Sequence, residues 1–341
     1  MRAATGTQYE LRAATPSGPA LAIITEVGAG LRAYSVDGID LVETFPAEVI
    51  PPKGAGMVLV PWPNRIRDGV WLHDGVEQQL ALNEPEEHNA IHGLLGLSPY
   101  RLLDRSTSAV TLAATVFPQS GYLFQLDTTV TYALTDDGLS VTHTVRNVGT
   151  DAAPIAIGAH PYLKISGVPT EDLTLTVPTR TRIEVDERLN PVGEAAVDGT
   201  DYDLRTGRLV RDLNLDDGFT VSMREVADAG TDELDADELE ADALDVDELD
   251  IDRAAVEHTL TAPDGRSVSV WGDENMRYVQ VFTPRVFPVA GAAGQTPGLA
   301  VAVEPMTAPA NAFNTGAGLR WLAPGESWTV RWGIRHTGLS V

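Results

Sequence analysis

Apolar and polar positions alternate along most of this chain in short runs broken by turn residues. Phe124, Leu126, Thr128, Val130, Tyr132 and Leu134 share one parity. Leu139, Val141, His143 and Val145 repeat the pattern, opposite Ser140, Thr142, Thr144 and Arg146. A period of two puts such residues on one face of a strand. Asp137-Gly138 lies between the runs, and Asp-Gly readily takes the positive φ of a tight turn, so the segment predicts a hairpin. Residues 256–262 and 267–271 flank Pro263-Asp-Gly-Arg266 and predict another. Residues 327–335 predict a closing strand. Asp-Gly recurs at 37, 68, 74, 198, 217 and 264 as further turn signals. No long stretch has the 3.6 period of a helix. The expected fold is all-β, a large antiparallel sandwich or barrel-like structure with few short helices.

The 341 residues suffice for two ordinary domains or one large β fold, and 43% hydrophobic content supports a sizeable core. The net charge of −25 argues against nucleic-acid and anionic-membrane partners, which need a basic patch. Of 24 basic residues only Lys53 and Lys164 are lysine. With no cysteine, disulfides, thiolate catalysis and Cys-ligated zinc are excluded. No apolar stretch has signal-peptide or membrane-spanning length, so a soluble cytoplasmic protein is expected.

One segment breaks the pattern. The acidic insert at 230–252 holds four near-copies of a pentad, DELDA, DELEA, DALDV and DELDI, between Asp232 and Asp252. Its 12 acidic residues face no basic ones; without them 37 acidic residues remain against 24 basic, a charge of −13. Leucines every five residues turn by about 500° along a helix and form no stripe. Dense like charge opposes compaction, so a solvated, flexible loop is expected. Calcium and partner binding are the alternatives, although no EF-hand spacing is present.

Four segments could carry chemistry. Residues 60–69 (Val-Pro-Trp-Pro-Asn-Arg-Ile-Arg-Asp-Gly) stiffen a loop that presents Asn64 and Arg65. An arginine fork binds hydroxyls or a carboxylate, or simply backbone carbonyls. His88 and His92 have the spacing of a metal pair on a helix, but Gly93 follows at once; His92 can equally be a polar substrate contact or a locally satisfied loop residue. His160-Pro161-Tyr162 follows a short apolar run. Proline pushes the residue before it toward extended backbone, which holds His160 at a strand end, and an imidazole trades protons near neutral pH. Glu304 ends the apolar run 299–303 and precedes Pro305; burial there raises a carboxylate toward the range of a general base. Each has a structural alternative in a local hydrogen bond or ion pair. His143 reads as a core histidine, and His73 and His258 as exposed hairpin residues. Gly28-Ala-Gly30 has no following helix, and P-loop and G-x-S-x-G patterns are absent.

Taken in order, Asn64-Arg65-Ile66, His92-Gly93, His160-Pro161-Tyr162 and Glu304-Pro305 resemble the aldose 1-epimerase (galactose mutarotase) family. Residues 278–283 resemble its late strand, whose glutamine contacts sugar, and 215–219 resemble its Asp-x-x-Phe substrate segment. Leu163 stands where many relatives carry an aromatic, and Leu94 where a second glycine is common. The resemblance implies a large antiparallel β-sandwich, one domain over 1–341, with an open cleft on one sheet. It implies a cofactor-free, metal-free interconversion of α and β anomers of a free monosaccharide. Glu304 would be the base and His160 the acid. His92, Arg65, Asn64, Asp216 (or its neighbour Asp217), Gln280 and Tyr162 would bind substrate. The acid and base are expected to face each other across about a sugar's width. Alternatives are a non-catalytic carbohydrate-binding module on this fold, hexose-6-phosphate 1-epimerisation, and a metal-dependent hydrolase using His88, His92 and His160. A monomer or homodimer is expected.

Overall fold

The computed structural model describes residues 2–221, 256–291 and 294–339. The acidic pentads lie outside these residues. Among the described residues strands dominate, and the one α-helix is the single turn Ala312–Thr315. Among the described residues no helix is long and apolar enough to cross a membrane.

A nine-stranded antiparallel sheet forms one layer. It runs Arg101–Arg105, Ala109–Val116, Leu126–Leu134, Gly138–Asn147, Ser327–Thr337, Ser267–Gly272, Val256–Thr261, Thr174–Thr176, Arg208–Leu209. The predicted alternation holds: Leu139, Val141, His143 and Val145 are buried while the residues between them are more exposed. The hairpin predicted at Asp137-Gly138 forms, with Leu134 opposite Leu139. It is closed by a wider loop in which neither Asp137 nor Gly138 has positive φ. Instead the amide of Thr135 donates to Gly138 O (2.9 Å). Asp217-Gly218 is no turn at all; it lies inside strand Asp216–Thr220.

The opposing layer is an eight-stranded sheet. Its path is Pro191–Ala196, Thr181–Val185, Asp216–Thr220, Tyr278–Phe282, Val301–Met306, Gly158–Ala159, Val58–Leu59, with Tyr162–Leu163 also paired to Val301–Met306. One continuous apolar cluster joins the layers, drawing Val130, Val141, Val330 and Ile334 from the first and Phe219, Val279, Val281 and Val303 from the second. The architecture is an all-β sandwich. A four-stranded sheet over Gln8–Asp40 adds Leu11, Ala22, Ile24 and Tyr34 to the same core.

Two histidine assignments resolve differently. His143 is fully buried, and its Nε2 accepts the indole N–H of Trp332 (2.8 Å). His258 is buried rather than exposed, because it shares the inward parity of Val256 and Leu260.

Candidate active site

The outer face of the eight-stranded sheet carries a cleft of about 420 Å³, within the usual range for small-ligand sites. Register builds its floor. Strand Val301–Met306 turns Val301 and Val303 into the core, so Glu304 points the other way with Ala302. Gln280 pairs directly with Glu304, and Gly218 pairs with Gln280. Asp216, two residues from Gly218, shares its face. Parity therefore separates the adjacent carboxylates. Asp216 lines the cleft, while Asp217 turns inward and accepts from Arg182 (2.7 Å).

His160 arrives from the neighbouring connection. Its amide donates to Met57 O (3.1 Å), its carbonyl accepts from the Gly56 amide (2.8 Å), and Pro161 O accepts from Val303 N (3.2 Å). The imidazole thus lies over Glu304, with Nε2 3.4 Å from Oε1. They touch rather than face each other across a sugar's width, because segments 160–163 and 301–306 are direct sheet neighbours. Both are almost fully buried, and among the described residues His160 Nδ1 and Glu304 Oε2 have no hydrogen-bond partner. Burial, reinforced by the Asp216 charge, holds the Glu304 carboxyl well above its ordinary range. Burial lowers His160 to about 4.

Arg65 and His92 come from a small antiparallel pair, Arg65–Arg67 with Asn89–Ile91. Asn64 and His92 both adopt positive φ, and each supports the other: His92 N donates to Asn64 O (3.0 Å) and Asn64 N donates to His92 Nδ1 (3.2 Å). Because Nδ1 accepts, the neutral ring carries its proton on Nε2. Burial, His160 and Arg65 hold His92 well below the usual histidine range, which keeps it neutral. The side chain of Asn64 is itself used to accept the Arg65 amide (2.8 Å). Arg65 donates through Nε and Nη2 to both oxygens of Glu84 (2.9–3.1 Å) and through Nη2 to Asp216 (3.1 Å). Gln280 Nε2 donates to the other oxygen of Asp216 (2.7 Å).

Of the sequence candidates, Asn64, Arg65, His92, His160, Asp216, Gln280 and Glu304 all line one cleft. Tyr162 does not. Its ring is fully buried, stacked on His160 from behind (5.1 Å between centroids), and its hydroxyl donates to Lys53 O (3.2 Å). It is a backing for His160 rather than a surface for a ligand. His88 is also outside, exposed and paired with Asp68 (3.1 Å), so the set His88, His92 and His160 is not assembled. Sequence reasoning missed Lys53, Asn83, Glu84, Ile91 and Phe282, which complete the lining. For Glu84 a signal existed: a Glu-Pro step, the same feature that singled out Glu304.

His92, His160 and Glu304 bring one ligand atom each within 4.8 Å of one another, a spacing a divalent ion can use. The tautomer of His92 does not fit that use. Its Nδ1 is occupied by the Asn64 amide, and its Nε2 carries a proton rather than a free lone pair.

An all-β sandwich with a polar, acid–base-bearing cleft on one sheet defines the class of protein. Residues 15–335 match the family model for aldose 1-epimerase, and the chain belongs to that family. An uncharacterised Escherichia coli protein, YihR, is 33% identical over 307 residues, covering 89% of this chain and 86% of its own. Two solved structures share the fold. The GalM/aldose epimerase homologue from C. elegans has a TM-score of 0.77 at 17% identity, over 97% of this chain and 99% of its own. Galactose 1-epimerase from Lactobacillus acidophilus NCFM has a TM-score of 0.70 at 19% identity, over 96% and 94%.

Proposed function

We propose that this protein is an aldose 1-epimerase that interconverts the α and β anomers of a free aldose. The observation that carries the reading is the buried Glu304–His160 contact at the base of the cleft, with an unpartnered polar atom on each side chain. The two oxygens that exchange protons in anomerisation, O1 and the ring oxygen O5, are bonded to the same carbon. An acid and a base in contact therefore serve them better than a pair set a ring apart.

Glu304, as carboxylate, takes the proton from the O1 hydroxyl. The O–H electrons form the C1=O1 double bond, the C1–O5 bond breaks, and O5 takes a proton from His160. Rotation about C1–C2 presents the other face of the aldehyde. Closure reverses the transfers, so both residues end as they began. His92, through Nε2–H, and Arg65 donate hydrogen bonds to sugar oxygens. Asp216 and Gln280 meet hydroxyls. Membership of the family supports the reading.

The test is polarimetric mutarotation of galactose, glucose, xylose and arabinose. Glu304→Gln and His160→Asn should each lower the catalysed rate by ~10²–10⁴-fold, the usual worth of one general acid or base. Sugar binding measured by calorimetry should persist. Full activity in both variants would remove the assignment. Binding without any rate acceleration by the unaltered protein would favour a carbohydrate-binding module.

A further inference from the structure

Glu84 is placed with unusual care for a residue outside the acid–base pair. Its two oxygens hold Arg65 side-on. Its backbone exchanges two hydrogen bonds with Asn89, both 3.1 Å, and Asn89 Nδ2 donates to Glu84 Oε2 (3.1 Å). Asn89 is fully buried and is itself fixed, donating to Arg188 O and accepting from Asn190 Nδ2 (3.1 Å each). The carboxylate cannot swing away without breaking this chain.

Two consequences follow for Arg65. Its Nε and Nη2 hydrogens are committed to Glu84 and Asp216, and Nη1 has no hydrogen-bond partner among the described residues. The guanidinium therefore offers a ligand one nitrogen in a set direction. Its single positive charge also faces two carboxylates, Glu84 and Asp216. The other cation of the lining, Lys53, is exposed to solvent, where water screens it.

We propose that Glu84 is a positioning and specificity residue: it aims Arg65 at a sugar hydroxyl and cancels its charge, so that the cleft discriminates against anionic groups beside Arg65. This rests on the epimerase reading. The experiment compares the unaltered protein, Glu84→Gln and Glu84→Asp on galactose against galacturonate and on glucose against glucose 6-phosphate. Mutarotation supplies kcat and KM, and calorimetry supplies Kd.

For Glu84→Gln, KM for the neutral sugars should rise about tenfold with kcat changed less than threefold, because Glu304 and His160 are untouched. The anionic-to-neutral ratio of kcat/KM, and of affinity, should rise about tenfold as one negative charge leaves the site. Glu84→Asp keeps the charge but shortens the reach, so its KM should rise while the ratio stays. A merely structural role would weaken both sugar classes alike and leave the ratio unmoved in both variants; that result overturns the proposal. If the unaltered protein accelerates no mutarotation, the epimerase reading fails, and the calorimetric ratio still decides the role of Glu84.

Discussion

Protonation of the Glu304–His160 pair makes a specific demand on the pH profile. His160 is lowered by burial to about 4, and Glu304 is raised well above 4.5. Between those limits the pair carries one proton. It rests on the carboxyl beside a neutral imidazole, or on the imidazole beside a carboxylate. The two arrangements differ by a proton shift across 3.4 Å. Only the second presents a base to O1 and an acid to O5 together. Desolvation favours the first, because burial raises the carboxyl and lowers the imidazole. The working form is therefore the minority of the singly protonated enzyme. Lowering pH through about 4 adds a second proton and removes the base. Raising pH through the elevated carboxyl value removes the shared proton and with it the acid. The pair titrates as a unit, so kcat/KM reports two values belonging to both groups. Polarimetric progress curves from pH 5 to 10, corrected for spontaneous mutarotation, should show no acid limb near 6.5 and a decline on the alkaline side. An acid limb at 6–7 would refute the desolvation of His160. A plateau that persists at high pH would refute the need for a protonated imidazole. In Glu304→Gln the alkaline limb should disappear together with most of the rate.

Two further outcomes test the surrounding architecture. Gly93 has φ +72°, and a Cβ there would lie 2.2 Å from Val60 O, a backbone atom. Gly93→Ala should cost more than about 2 kcal/mol in denaturant unfolding and displace the adjacent His92, lowering kcat/KM for sugar. His258 is buried and lowered to about 4. A depressed histidine adds stability above its unfolded value near 6.5 and loses it as pH falls toward 4. Between pH 7.5 and 5 it accounts for about 2 kcal/mol of lost stability, so His258→Leu should lessen the fall by that amount. Equal pH dependence in both proteins would refute that account.

Much was legible in one dimension because a strand's side chains alternate strictly. The run from Leu139 to Val145 announced its own inner face, and His258 carried the same signal in the parity it shares with Val256 and Leu260. Motif order also brought Arg65, His92, His160 and Glu304 together, since each sits at a proline, glycine or strand end that marks a site. Other features depended on register across strands far apart in sequence. Gly218, Gln280 and Glu304 line up only through sheet pairing, and that row chose Asp216 over Asp217. Tyr162 looked like a ligand contact from its neighbour His160, yet sheet pairing turned it behind the imidazole. The His160–Glu304 contact, and the hold of Glu84 on Arg65, join residues 144 and 19 positions apart. Periodicity determined that this chain is an antiparallel all-β fold, and motif order singled out its acid–base residues, although Glu304, expected at a strand end, lies inside strand Val301–Met306. Which of those residues touch, and which way each proton can move, was decided by the packing of one strand against another, because burial and hydrogen-bond partners exist only once distant segments meet.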